Sequence, residues 1–202
     1  MHCSSDNGAA MDAMKLDKRQ IVAEALLLLR EEGIEKLSMR KLAARLNIRA
    51  PTLYWYFPDK SSILRAVIRT LQRESFARIP ECDTWQEWLR GLALSFWQNN
   101  CETPYVNLLL QSAELNDESV VRVQIEEIEK ARARYEVDET TIYRAHSDLL
   151  AFVIGWSVFH HSNVGERLEP KINAEQAVVV DGINIIIAGW EQRRLQAIAA
   201  AA

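Results

Sequence analysis

Residues 37–60, LSMRKLAARLNIRAPTLYWYFPDK, contain the stretch that decides the fold. Ser38 is a favourable helix N-cap, and leucines then recur at helical spacing. Asn47 tolerates the left-handed backbone that ends a helix, and Pro51 suits the first turn of the next one. Two short helices joined by a tight turn are therefore predicted, which is the pattern of a helix-turn-helix.

The second of these short helices is predicted to read DNA. An α-helix fits the major groove, while cations and neutral donors at fixed positions hold the phosphates. Leu53 is expected to face inward, residues 49–52 and 54–56 to be exposed, and Arg49 to reach either a guanine edge or a phosphate. The predicted DNA-contacting residues are Ser38, Arg40, Arg49, Ala50, Pro51, Thr52, Tyr54, Trp55, Tyr56 and Lys60.

The charges of the chain are unevenly distributed around this motif. The whole chain has a net charge of −4. Residues 15–79 nevertheless hold 14 Lys and Arg against 7 Asp and Glu, whereas residues 80–202 hold 10 against 19. A basic block on an acidic body suggests that one end of the molecule meets a polyanion.

The sequence outside the motif predicts an all-α protein. Only 7 glycines and 5 prolines occur in 202 residues, of which 49% are hydrophobic. The predicted order is a flexible tail (1–14), a three-helix DNA-binding domain (15–62) and a fourth helix continuing to about residue 79. A helical ligand-binding and dimerisation domain then follows (80–202).

Two long C-terminal helices are expected at residues 138–163 and 173–196, and a further helix is expected to start at Pro104. The β-branched runs Val178–Val180 and Ile185–Ile187 favour strands by propensity. They are predicted to be helical because capping residues precede them and no turn signal interrupts them. Two apolar helices per subunit can form a four-helix bundle across a two-fold axis, which predicts a homodimer and a palindromic operator.

The motif resembles the TetR (tetracycline repressor) family of bacterial transcription regulators. The resemblance rests on residues 40–43 (RKLA), residues 51–57 (PTLYWYF) and Lys60, and it covers roughly residues 17–70. It implies a homodimer that binds operator DNA, usually as a repressor, and a C-terminal domain that responds to a ligand. An activator, or a DNA-binding regulator without any effector, remains an alternative.

A cluster of aromatic residues in the C-terminal half is the candidate effector pocket, although plain core packing would give the same pattern. Leu92 stands where the founding member of the family has Asn, and no His lies between residues 101 and 134. A small apolar effector of unknown identity is therefore expected rather than a metal-chelated drug. The candidate lining residues are Trp88, Leu92, Phe96, Tyr105, Leu109, His146, Phe152 and Trp156.

Other classes of function find little support in the sequence. Cys3, Cys82 and Cys101 are widely spaced, as in a protein of a reducing cytoplasm. The longest apolar run, residues 149–159, is too short to span a membrane. We see no nucleophile–base pairing, no Gly-rich phosphate loop and no metal-ligand spacing, so neither catalysis nor a cofactor or metal is expected.

Overall fold

The computed structural model describes residues 16–103, 115, 117–160, 162–172 and 176–201. The regular structure of these ranges is helical, as the all-α prediction requires. The helices are α1 (Lys18–Glu32), a 3₁₀ turn (Ile34–Lys36), α2 (Met39–Arg45), α3 (Ala50–Tyr56), α4 (Lys60–Ala77), α5 (Trp85–Glu102), α6 (Glu118–Tyr135), α7 (Glu139–His160), α8 (Asn163–Ile172) and α9 (Gln176–Ala201).

Local capping sets the boundaries of the N-terminal helices. Asp17 and Gln20 form a reciprocal capping box at the start of α1, and Gly33 ends it with φ 83°. Ser38 Oγ accepts a hydrogen bond from the Lys41 backbone N–H at the start of α2. Asn47 has φ 53°, the left-handed conformation predicted for it. These caps fix the length and direction of each short helix.

The hydrophobic residues divide into two clusters. The first lies among α1–α4 and includes Leu42, Leu53 and Val67, none of which has exposed surface. The second lies among α5, α7 and α9 and includes Leu89 and Ile142, which are also fully buried. Helix α4 packs against α1, α5 and α6. It therefore connects the first group of helices with the second.

The C-terminal helices differ in two respects from the prediction. The helix expected over residues 138–163 ends at His160, and α8, which was not predicted, starts at Asn163. A side chain at Gly165 would place Cβ 2.1 Å from the Phe159 carbonyl oxygen, so glycine permits the close turn between the two helices. The last helix continues to Ala201, beyond the expected end near residue 196.

Both β-branched runs lie within α9, which confirms that they are helical. The tail over residues 1–14, the helix expected from Pro104 and residues 173–175 lie outside the described residues. No helix within the described ranges is long and apolar enough to cross a membrane.

Candidate nucleic-acid interface

Helix α3 displays most of the side chains that were predicted to read DNA. The indole of Trp55 is 89% exposed and the ring of Tyr54 is 51% exposed. Arg49, Pro51 and Thr52 are exposed beside them. Leu53, at the centre of the helix, is fully buried and anchors it to the first cluster. The helix thus presents a polar and aromatic surface on a rigid support.

Two residues of the predicted reading surface are less exposed than expected. Ala50 and Tyr56 are half-buried and pack against the first cluster. They lie three residues before and after Leu53, so the helical period places them at the borders of the buried face. The Tyr56 hydroxyl donates to the Leu16 carbonyl oxygen at 2.8 Å. The expectation that both side chains would be exposed was wrong.

The predicted phosphate-binding residues flank α3. Ser38 and Arg40 are exposed at the start of α2. Lys60, in the first turn of α4, is half-buried, and its Nζ donates to the Ile34 carbonyl oxygen at 2.9 Å. This contact with the 3₁₀ turn could not be read from the sequence, because 26 residues separate the partners.

Part of the positive charge of residues 15–79 is neutralised by ion pairs with acidic residues of the same chain. Arg45 on α2 pairs with Glu24 at 2.5 Å and with Glu31, both on α1. The hydrogen bonds that Arg45 donates to Glu31 and Glu24 raise the pKa of its guanidinium. Lys41 pairs with Glu32. The excess positive charge of residues 15–79 is therefore only partly a surface for a polyanion, and these two cations hold α2 against α1.

Two polar contacts join α4 to the N-terminal end of α6. Arg65 Nε lies 3.1 Å from Asp117 Oδ2, and Arg69 Nη1 donates to Ser119 Oγ at 2.6 Å. Asp117 is also the N-cap of α6. Hydrogen bonds from Ser119, with help from Val120 and Arg65, lower the pKa of the Asp117 carboxyl.

A second set of contacts ties the other end of α4 to α5 and α1. Arg78 Nη1 donates to Asn99 Oδ1 at 2.7 Å, and Asn99 Nδ2 donates to Leu71 O at 3.1 Å and to Ser75 Oγ at 2.5 Å. Glu102 lies 3.3 Å from Arg30 of α1 and 3.6 Å from Arg78. Sequence analysis missed these residues, because their partners are far apart along the chain.

The candidate effector residues lie in two aromatic groups. Phe76 of α4 stacks on Trp88, with ring centroids 6.4 Å apart, and meets Phe96 edge-on at 6.3 Å. Phe152 and Trp156 of α7 are neighbours at 6.1 Å. Four of the five predicted aromatic residues, all except Tyr105, are described, and they pack against or within the second cluster. Phe76 was not predicted, because it lies on α4, which the sequence showed only as a connector.

Of the other candidate effector residues, two are buried and two are not described. Leu92 and His146 are buried, and burial lowers the pKa of His146 to about 4. Tyr105 and Leu109 lie outside the described residues. A separate groove of about 940 Å³ borders α5, but its lining includes Arg78, Glu87 and Arg90 and none of the candidate residues. Within the described ranges, no group of His, Cys, Asp or Glu is arranged to hold a metal ion.

The outer faces of α7 and α9 carry exposed apolar and small residues. Ile185 is 73% exposed, and Val158 and Leu195 are each about half exposed. A side chain added at Gly155 or Gly189 would meet nothing within 4 Å. These glycines therefore leave flat stretches on the surface of the protomer.

Comparison with known proteins places this helix-turn-helix protein in a class of regulators. The profile "Bacterial regulatory proteins, tetR family" matches residues 21–67. The tetracycline repressor protein class G of Vibrio anguillarum is 43% identical over 84 residues, which are 41% of this chain and 40% of that protein. An HTH-type transcriptional repressor of Mycobacterium tuberculosis is 31% identical over 121 residues, 58% of this chain and 46% of that one.

The likeness of the folds extends further than that of the sequences. A TetR of Acinetobacter baumannii AYE, in a crystal structure with minocycline, has a TM-score of 0.68 and 27% identity, and the match covers 89% of this chain and 99% of that one. The chain belongs to the TetR family. It spans only about two fifths of the length of the first curated relatives it matches.

Proposed function

We propose that the protein is a transcriptional repressor that binds a palindromic operator as a homodimer and releases it when a small molecule binds the C-terminal helices. The exposed surface of α3 is the observation that carries the proposal. Trp55 and Tyr54 are displayed to solvent, while Leu53, which precedes them on the same helix, is fully buried. The relatives quoted above are named repressors, which supports repression over activation.

The reading surface is proposed to work in two parts. Arg49, Pro51, Thr52, Tyr54 and Trp55 would meet base edges and the sugar–phosphate backbone in the major groove. Ser38, Arg40 and Lys60 would hold phosphates on either side and so fix the position of α3. Ala50 and Tyr56 would act mainly by supporting α3, since both pack against the first cluster.

The proposed domain division follows the earlier expectation. Residues 15–62 would form the DNA-binding domain and residues 80–202 the ligand-binding and dimerisation domain, with α4 continuing between them. The outer faces of α7 and α9 would pair with those of a second copy. Their exposed apolar residues and their two unobstructed glycines suit the close approach of helices.

Release of the operator is proposed to pass through α4. This helix begins at Lys60 beside the reading surface and is held at Arg65 and Arg69 by α6 and at Ser75 and Arg78 by α5. A ligand that binds better when these contacts rearrange would shift α4 and change the spacing of the two reading helices. A coupling of about 1–3 kcal/mol would weaken operator binding roughly 5–150-fold.

The test is selection of a palindrome from random duplexes, followed by fluorescence anisotropy at several salt concentrations. Replacing a phosphate-binding cation should reduce the salt slope by about one. We therefore expect a shallower slope for Arg40→Gln than for the wild type. Lys130→Gln, which removes an exposed cation of α6, serves as the matched control and should keep the wild-type slope. Failure to enrich any palindrome would contradict the proposal.

A further inference from the structure

Helix α4 carries a buried amide whose polar atoms are both left unbonded. Gln72 is only 3% exposed. Neither its Nε2 nor its Oε1 has a hydrogen-bond partner among the described residues. Buried polar groups in folded proteins are nearly always hydrogen-bonded, because an unmade bond destabilises the native state. The position of Gln72 therefore requires an explanation.

The neighbouring buried amide shows that this part of the fold is able to satisfy such a group. Asn99 of α5 is buried as deeply as Gln72. Its Nδ2 donates to Leu71 O and Ser75 Oγ, and its Oδ1 accepts from Arg78. Leu71 lies next to Gln72 in the sequence, yet the bonds of this network bypass the Gln72 side chain. Ser95 Oγ on α5 is also buried without a partner, but Gln72 is the residue in which both the donor and the acceptor of one amide are unbonded among the described residues.

Gln72 lies one helical turn before Phe76 on α4. It precedes Phe76 by four residues, and residues at this spacing are neighbours on one face of a helix. The Phe76 ring contacts Trp88 and Phe96, with ring centroids 6.4 and 6.3 Å apart. Both of those rings belong to the candidate effector residues. The amide therefore lies one helical turn from a residue of α4 that contacts two candidate effector rings.

The side chains that are buried as a whole within the described ranges offer no charge to a bound molecule, although one carboxylate oxygen of Glu191, on α9, is also buried without a partner. The buried polar side chains within the described ranges are amides, hydroxyls and His146, and they include no Asp, Glu, Lys or Arg. Burial lowers the pKa of His146 to about 4, so this ring is neutral at pH 7. A charged ligand would lose its hydration there without gaining a counter-ion.

We propose that Gln72 is the polar anchor of the effector, and that the effector is a neutral molecule with a lactam or primary amide on an apolar body. This inference rests on the proposed function and names the ligand class of its regulatory site. The Gln72 amide offers an N–H donor beside a carbonyl acceptor. A lactam offers the complementary pair, and the rings of Phe76, Trp88 and Phe96 suit its apolar body.

This anchor would act directly on the helix that carries the response. Gln72 lies 12 residues after Lys60, which corresponds to about 18 Å along α4. A ligand that bonds to the Gln72 amide would favour the arrangement of α4 that brings the amide to it. Recognition and the shift of the reading surface would then involve the same helix.

The first test measures the melting temperature of the ligand-free protein. Gln72→Met keeps the side-chain length and removes both unbonded atoms, so we expect the melting temperature to rise by about 2–4 °C. Asn99→Leu is the matched control, and it should lower the melting temperature because it breaks three hydrogen bonds. An unchanged or lower value for Gln72→Met would show that the amide is satisfied as a structural group, and the proposal would be overturned.

The second test compares three bicyclic probes of similar shape: 2-quinolinone, a lactam; naphthalene, without polar atoms; and 2-naphthoate, an anion. At equal concentrations, 2-quinolinone should raise the melting temperature of the wild type by about 2–4 °C more than naphthalene does. The difference should vanish in Gln72→Met, and 2-naphthoate should do no better than naphthalene.

Three results would overturn the inference. These are no shift with 2-quinolinone, a larger shift with 2-naphthoate, and a lactam preference that persists in Gln72→Met. Operator binding by the ligand-free wild type is measured on the same samples. Its absence would refute the proposed regulatory function, whereas the probe results report on the Gln72 anchor alone.

Discussion

The predicted DNA-reading head (residues 15–62) and the helical core (α4 from Gln72 onwards, with α5–α9) differ in how their candidate residues are arranged along the chain. The head concentrates its candidate residues between Ser38 and Lys60, and the family profile matches this part of the molecule. The candidate effector residues of the core are spread from Gln72 to Trp156. The quoted tetracycline repressor of Vibrio anguillarum aligns over about two fifths of the chain, whereas the fold matches over 89% of it.

This difference reflects two kinds of constraint. A reading helix must keep particular side chains at consecutive positions, because the groove of DNA is the same for every member of the family. A ligand pocket needs only apolar bulk with a few polar anchors, and many sequences supply that on one fold. This is consistent with a family profile that matches residues 21–67 and a fold likeness that extends over 89% of the chain.

The largest expected loss of operator affinity comes from a substitution on the exposed face of α9, far from the predicted reading helix. Ile185→Glu places a charge on the most exposed apolar side chain of α9. We expect monomers in sedimentation velocity and a loss of operator affinity of at least about 100-fold, because two linked reading helices bind far more tightly than one. Val121→Glu, on the exposed face of α6, is the control and should leave the dimer intact. A dimeric Ile185→Glu protein would place the interface elsewhere.

The next largest effect belongs to the head alone. Trp55→Ala and Tyr54→Ala remove exposed side chains of α3, so each should weaken operator binding by about 1–3 kcal/mol without changing the melting temperature. Anisotropy with the selected palindrome measures the affinity. Val121→Ala, which trims another exposed apolar residue, should bind as the wild type does. Wild-type affinity in both α3 variants would mean that another surface reads the DNA.

A pH effect should distinguish the core from the head. The native pKa of His146 is lowered by burial to about 4 from a reference value of 6.5. Between these values the unfolded chain binds the proton and the native protein does not, so stability falls as the pH is lowered. The loss should reach about 3 kcal/mol near pH 4.

Chemical unfolding of the wild type and His146→Leu across this range isolates that contribution, since the carboxylates titrate in both proteins. The wild type should lose more stability than the variant between pH 6.5 and pH 4. Parallel curves for the two proteins would mean that His146 is protonated in the native state or accessible to water.

The smallest effect is expected at the contact between head and core. Glu102→Gln weakens the pairing with Arg30 and Arg78, and partly exposed ion pairs contribute at most about 1 kcal/mol. We expect a similarly small loss of unfolding free energy and a change of a few-fold in operator affinity. Glu118→Gln, which breaks an exposed pair within α6, should change neither. An unchanged operator affinity in Glu102→Gln would remove this contact from the coupling.

The sequence by itself determined the helices of the head and the display of its reading residues. Capping residues, proline positions and the leucine spacing act over a few residues, so their consequences can be read locally. The helical state of the β-branched runs in α9 followed in the same way. The half-burial of Ala50 and Tyr56 was missed, because the width of a buried face depends on what packs against it.

Tertiary structure alone decided which distant residues meet. Lys60 finds the Ile34 carbonyl, Glu102 joins Arg30 to Arg78, and Phe76 joins the aromatic group of α5. The turn at Gly165, which ends α7 and starts α8, depends on the close approach of the Phe159 carbonyl. The unbonded state of Gln72 is likewise visible only once its neighbours are in place. Hydrogen bonding and burial between distant segments are properties of packing, and a linear pattern does not contain them.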